Sequence, residues 1–312
     1  MADVTDCAFR QIIAKYGKPD VFWTEFVSAD GLVHPKAQKK LLIDLKFFKN
    51  EHPIVAQLFG SNVENTRKAA ALCRILGFDG IDINMGCPDK SIEKQNSGAA
   101  MIKNPKLTQE IIEAAQEGAK DLPISVKTRI GYSKNEIETW IPFLLRQNIS
   151  ALIVHLRTRK EMSNVPAHWN LMKRIIELRN KINPETLIIG NGDVLDLENA
   201  KQKIKETGCD GIMFGRAIFG SPWFFSYCQR CPLTQKMSRG TLDTKKKLKV
   251  LVEHVKLFEK LLGKVKSFNV MKKHFKAYVS GFEGSKELRI KLMQTKNTKE
   301  VEKIISDFSK KI

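Results

Sequence analysis

Long apolar runs are absent from this 312-residue chain. Nothing approaches the ~18 consecutive apolar residues of a membrane-spanning helix, so a membrane protein of that kind is excluded. A signal peptide is lacking as well: Met1 is followed directly by Asp3, Thr5 and Asp6, and a soluble cytoplasmic protein is expected. Cysteine is sparse. The six residues (Cys7, Cys73, Cys87, Cys209, Cys228, Cys231) are scattered over a long chain, unlike a disulfide framework, and are expected to be reduced. The close pair Cys228-x-x-Cys231 lacks the second pair that a four-ligand zinc site requires, so no metal is expected. Acidic residues are also in deficit. With 53 Lys+Arg against 34 Asp+Glu the formal charge is +19. From Cys231 to Ile312 there are 21 Lys+Arg and 8 Asp+Glu, a net of +13, leaving +6 for the first 230 residues. Such an excess suits a polyanion, nucleic acid before membrane, although lysine-rich solvated helices would show it too.

What is present is an apolar content of 42%, enough for a substantial core, arranged in a repeating pattern. Seven short runs rich in β-branched residues occur at 20–26, 53–59, 80–85, 124–129, 151–156, 187–190 and 211–215. Helical periodicity lies between them, as in 63–76 and 107–119. Near-continuous apolar strands alternating with helices imply a parallel sheet covered on both faces. Seven such units in the first 220 residues favour an α/β (β/α)₈ TIM barrel over a doubly wound sheet. The first helical pattern, 6–16, has no strand before it, which reads as a first strand lost to a truncated gene model or fragment. Beyond Pro222 the pattern becomes helical throughout. Leu248, Leu251, Val252, Val255, Phe258 and Leu262 form one apolar stripe, closed by Gly263, and Phe268, Met271, Phe275 and Tyr278 another. Val301, Ile304, Ile305 and Phe308 make a third, with Asn297 as N-cap and Glu300 three residues on. The expected organisation is a barrel over residues 1–230 and a small helical domain over 240–312. Their boundary falls near 228–241, where Pro232, Ser238 and Gly240 break the periodicity.

Polar residues stand at the C-terminal end of each strand: Glu25, Gln57, Asn84 with Cys87, Lys127 with Arg129, His155 with Arg157, Asn191 with Asp193, and Gly215 with Arg216. In a barrel enzyme that rim carries the chemistry. A polar group leaving an apolar strand needs a partner or a ligand, because burying it unpaired costs several kcal/mol. The loops Ile189-Gly190-Asn191-Gly192-Asp193 and Phe214-Gly215-Arg216-Ala217 look like a phosphate site, with glycines for close approach and Arg216 for charge. Lys127 is the right residue type to stabilise a reduced flavin, with Gln57 and His155 as hydrogen-bonding neighbours. An ion pair with Asp82 or Glu25 is its alternative. Cys87, between Gly86 and Pro88, reads either as an inert core thiol or as an acid aimed by a constrained loop. Its usual pKa of about 8.5 keeps it protonated at neutral pH.

These stretches resemble the tRNA-dihydrouridine synthases, FMN-dependent and of bacterial type, from Met1 to about Arg289. MADVTDCAFR resembles the family's opening motif, and DGIDINMGCP with Ser97-Gly98-Ala99-Ala100 its cysteine signature. SVKTRIG, VHLRTR, GNGD and MFGRAIFGSPWFF resemble its later barrel loops, and MKKHFKAYVSGF its helical tRNA-binding domain. The resemblance implies reduction of uridine in tRNA, with NADPH or NADH as reductant and Cys87 protonating C5. It implies FMN held by Met1, Ala2, Gln57, Lys127, His155, Asn191, Gly192, Asp193, Gly215 and Arg216. Asn84 and Arg129 would face the uracil, and Lys272, Lys273, Lys276 and Arg289 the tRNA backbone of a monomeric enzyme. Two departures stand out: the Ala-Pro that usually precedes the position of Met1, and Leu156 where many members carry Gly. A small-molecule flavin barrel of the dihydroorotate or dihydropyrimidine type lacks any need for the cationic helical region. A tRNA-binding protein without catalysis lacks any need for the polar rim.

Overall fold

The computed structural model describes residues 1–227 and 244–312. The expected domain boundary and the Cys228/Cys231 pair lie outside them. Along the chain run α1 (Cys7–Tyr16), β1 (Phe22–Ser28), α2 (Ala29–Val33), α3 (Pro35–Leu41), β2 (Ile54–Phe59), α4 (Val63–Ile75) and β3 (Gly80–Met85). Next come α5 (Lys90–Glu93), α6 (Pro105–Ala119), β4 (Ile124–Arg129), α7 (Ile137–Leu145), β5 (Ala151–His155), α8 (Met172–Ile182) and β6 (Leu187–Asn191). The chain continues through α9 (Leu197–Thr207), β7 (Gly211–Met213), α10 (Thr244–Leu262), α11 (Met271–Tyr278), α12 (Ser285–Met293) and α13 (Thr298–Ser309). The strands fall within two residues of their sequence-based positions. No helix of the described residues is long and apolar enough to cross a membrane.

Contacts divide the chain into two units, one of Met1–Asp20, Lys46–Glu51 and Arg216–Ile312, the other of Val21–Leu45 and His52–Gly215. The second holds a seven-stranded parallel sheet in the order β1-β2-β3-β4-β5-β6-β7, the α/β architecture of a (β/α)₈ barrel without a strand before α1. Helices on the sheet bury it, and β3 is buried at every position. Short polar side chains start the helices, as the physics of unpaired N–H groups demands: Asn62 Oδ1 accepts from Asn65 N at 2.9 Å and Asp196 Oδ1 from Asn199 N at 2.7 Å.

In the first unit Asp6 caps α1 through Phe9 N at 2.9 Å. Arg10, 1% exposed, pairs with Glu51 at 2.5 Å and donates to Thr5 O and Lys46 O, both at 2.6 Å. The Phe9 ring stacks on His254 at 5.2 Å and lies 4.7 Å from His274. Helix α10 buries Leu248, Leu251, Val255, Phe258 and Leu262 as the stripe predicts, but also Val250 and His254, while Val252 is only half-buried. The face is broader than the spacing implies because α1, α11 and α13 all pack there. Asn297 caps α13 through Glu300 N at 3.0 Å; Glu300 reaches back to Lys296 N at 2.8 Å, one residue before the cap.

Candidate active site at the strand ends

Parallel register puts the polar strand ends in rows. It pairs Gln57 with Asp82, Asn84 with Lys127, Arg129 with His155, and His155 with Asn191. Side chains alternate along a strand, so Asp82 and Asn84 share one face, as do Ser125, Lys127 and Arg129. Hydrogen bonds join them. Asp82 accepts from Ser125 Oγ at 2.6 Å and from Gln57 Nε2 at 2.7 Å. Asn84 Nδ2 donates to Gln57 Oε1 at 3.1 Å, and Asn84 Oδ1 accepts from the main-chain N–H of Gly86 at 3.2 Å and of Cys87 at 3.0 Å.

Lys127 Nζ donates to Asn191 Oδ1 at 3.3 Å, and Asn191 Nδ2 to Met213 O at 2.8 Å. The alternative of a Lys127–Asp82 ion pair is not realised: an amide holds the ammonium. Burial lowers the Lys127 pKa to about 8, and the charge of Asp82 pulls in the opposite direction. His155 is pushed down to about 2, by burial first and then by the cations Lys127, Arg129 and Arg157. It is therefore a neutral imidazole at pH 7, and its Nε2 lies 3.1 Å from Arg157 Nη1. Arg157 also pairs with Asp193 and donates to Val165 O at 2.6 Å.

Cys87 is half-buried and free. Burial raises its pKa above the usual value, while a hydrogen bond with the Asp89 main chain draws it back. Its loop is held from several sides. Arg129 Nε donates to Gly86 O at 2.8 Å, and its Nη1 to Thr158 O at 2.9 Å and Met162 O at 3.0 Å. Ala99 N donates to Cys87 O at 2.9 Å. Gly98, at φ +61°, lies so close that a Cβ would come within 2.7 Å of Cys87 O. Gly86 serves the loop by its small size. Its φ is not positive; its missing side chain lets it approach the Thr128 main chain, 3.3 Å from where a Cβ would sit.

The phosphate-like loops divide. Gly192 has φ +126° and Asp193 φ +53°, a turn ordinary residues resist. Gly190 is empty for another reason: a Cβ would strike the Trp169 ring at 2.5 Å, and Trp169 Nε1 donates to Gly192 O at 2.8 Å. A Cβ on Gly215 would meet open space. Leu156, the departure from the glycine of many relatives, is fully buried.

Gln57, Asn84, Cys87, Lys127, Arg129, His155, Asn191, Gly192, Asp193 and Gly215 all belong to the second unit, and Met1, Ala2, Arg216, Lys272, Lys273, Lys276 and Arg289 to the first. There the Met1 ammonium donates to Thr5 Oγ1 at 2.9 Å, and Arg216 opens a 3₁₀ turn. Lys273 and Lys276 are exposed and Lys272 half-buried; Lys273 lies 3.5 Å from Asp3. Arg289 Nη1 donates to Val279 O at 3.3 Å. Sequence reasoning left Ser125 out of the site and gave Asp82 and Arg157 no role toward a ligand. Asp82 carried a usable signal, a charge two residues before Asn84 on the same face of an apolar strand.

A family model described as Dihydrouridine synthase (Dus) matches residues 1–312. The chain is 39% identical over 313 residues to the probable tRNA-dihydrouridine synthase 2 of Bacillus subtilis (strain 168), covering 100% of this chain and 93% of that one. It is 38% identical over 310 residues to a probable tRNA-dihydrouridine synthase of Staphylococcus aureus (strain Mu50), covering 99% and 91%. Among solved structures, a 2-naphthoyl-CoA reductase–2-naphthoyl-CoA complex superposes with TM-score 0.53 at 11% identity over 73% of this chain and 46% of that chain, a likeness of fold alone. With the family model matching end to end and full-length relatives near two-fifths identity, the chain belongs to the dihydrouridine synthase family, a family of oxidoreductases.

Proposed function

We propose that the protein is a cytoplasmic, monomeric tRNA-dihydrouridine synthase. It reduces the C5–C6 double bond of specific uridines with FMN as its flavin, NADPH or NADH as reductant, and Cys87 as proton donor to C5. The observation that carries this reading is the set of donors gathered at the strand ends. Lys127 offers an ammonium whose protein partner is an amide, and Gln57, Asn84 and Asn191 offer further amides beside a neutral His155. That set fits the polar edge of a flavin that becomes anionic on reduction, with the Gly192–Asp193 turn and Gly215 suited to its phosphate.

Bound FMN would supply the hydride that adds to C6 of the uracil. Lys127 keeps a positive charge at neutral pH, since its pKa is lowered only to about 8. It thus stabilises negative charge at the edge it faces. Cys87 keeps its proton because burial raises its thiol above the usual range, and it can release that proton to C5. The Asn84 amide and the Arg129 guanidinium hold the Gly86–Cys87 main chain, so the thiol is delivered from a fixed loop. Residues 240–312 serve as the tRNA-binding domain. Lys273 and Lys276 are exposed and suit phosphates, a sequence-independent contact.

The test uses purified protein loaded with FMN and tRNA from a strain lacking dihydrouridine. NADPH should bleach the flavin absorbance, and mass spectrometry should find a gain of two hydrogens at a uridine. Cys87→Ala should retain bleaching and lose the product; product formation at the wild-type rate would remove the proton-donor role.

A further inference from the structure

Asp82 is completely buried in β3 and has no part in the chemistry assigned above. An ionised carboxylate can only accept hydrogen bonds. This one takes Ser125 Oγ at 2.6 Å and Gln57 Nε2 at 2.7 Å. The orientation of the Gln57 amide follows: its nitrogen faces Asp82, and its oxygen faces Asn84. An oxygen there demands a donor, and Asn84 answers with Nδ2 at 3.1 Å. Asn84 Oδ1 is thereby turned to the main chain, where it accepts from Gly86 N at 3.2 Å and Cys87 N at 3.0 Å. A main-chain N–H can only donate, so the far end of the chain demands the same polarity as the near end. Gln57 and Asn84 are 6% and 7% exposed, so a reversed amide would set donor against donor with little water to relieve it.

We propose that Asp82 is a positioning residue that sets the polarity of the Gln57–Asn84 amide pair and, through it, anchors the Cys87 peptide. The inventory of hydrogen-bonding groups shows what this leaves for a ligand. Both acceptor positions of Asn84 Oδ1 are taken, so its amide retains a single N–H, and a group binding there must bring an acceptor such as a carbonyl oxygen. Reversal would offer an acceptor in its place. The property at work is hydrogen-bond polarity and not charge. If Asp82 takes up a proton, Ser125 Oγ can accept it while the other oxygen still faces Gln57. Asparagine can do the same, with its amide nitrogen toward Ser125. The consequence for catalysis rests on the function proposed above: Asp82 serves delivery of the Cys87 proton, and through Gln57 it reaches the flavin edge as well.

The experiment compares Asp82→Leu with Asp82→Asn by two readouts. One is the rate of Cys87 alkylation by iodoacetamide at fixed pH, read on the Cys87 peptide by mass spectrometry. The other is turnover of dihydrouridine formation. Asp82→Leu should change alkylation about fivefold or more and lower turnover about tenfold. Asp82→Asn should rescue both to within about threefold, as an amide that keeps the acceptor for Gln57. Unchanged alkylation in Asp82→Leu, or an Asp82→Asn protein as impaired as Asp82→Leu, would overturn the proposal. Should Asp82→Leu fail to fold, Gln57→Met cuts the same chain one link on and should shift alkylation equally; no shift there would overturn it as well. Alkylation needs neither flavin nor tRNA. A protein that never reduced uridine would therefore refute the function while the positioning role was still measured.

Discussion

Replacing His254 with Phe should make the first unit less sensitive to acid. His254 and His274 are 0% and 1% exposed, their ring centroids are 4.6 Å apart, and none of their four ring nitrogens has a hydrogen-bond partner. Burial lowers the pKa of His274 to about 3, with the charge of Lys273 adding to it, and holds that of His254 well below 6.5 with His274 adding to it. The folded protein therefore keeps both rings neutral, while the unfolded chain takes up protons below pH ~6.5. The sign follows. The stability is fully present above pH ~6.5 and is lost as the pH falls toward the folded values, at about 1.4 kcal/mol per pH unit for each ring. At pH 5 His274 alone loses roughly 2 kcal/mol, and His254 adds to it in the same direction, against the 5–15 kcal/mol typical of a domain. Phenylalanine suits the aromatic surroundings of Phe9 and Tyr278 and breaks no hydrogen bond. Urea unfolding of wild type and His254→Phe between pH 5 and 7.5 should give stability curves whose slopes differ by about 1.4 kcal/mol per pH unit at the acid end and converge above pH ~7. Buried carboxylates such as Asp82, raised to about 6 and opposite in sign, cancel in that difference. Parallel curves would mean that His254 takes up protons in the folded state, and the reasoning would fail.

Lys127→Met should weaken FMN retention about tenfold or more, since a charged donor is lost, and equilibrium dialysis of flavin reads this directly. Neutralising Lys272, Lys273 and Lys276 together should reduce the slope of log affinity for tRNA against log salt by about 2, with Lys273 contributing least because Asp3 lies 3.5 Å away. Gly220→Ala should lower stability by about 2 kcal/mol or more, seen as a fall in melting temperature: Gly220 has φ +65°, and a Cβ would stand 2.4 Å from the Ala277 carbonyl carbon.

Much of the architecture is legible in the chain itself. A strand covered on both faces must be largely apolar, so 54–59 and 151–155 announce themselves without any partner being known. Helix starts are local as well, because a short polar side chain satisfies N–H groups two or three residues away, as at Asn62 and Asn297. The polar strand ends and Cys87 follow from the same pattern. Tertiary structure alone decides which of those side chains meet. Register puts Asn84 beside Lys127 and hands Lys127 to Asn191 and not to Asp82. The approach of Trp169 explains Gly190 where a phosphate would have served equally well. Likewise α1 shares a core with α10 and α11 from the other end of the chain, so His254 reads as a polar position until Phe9 covers it. Local periodicity reports what one element must bury; it carries no distance between elements, and hydrogen-bond polarity, packing and pKa all depend on that distance.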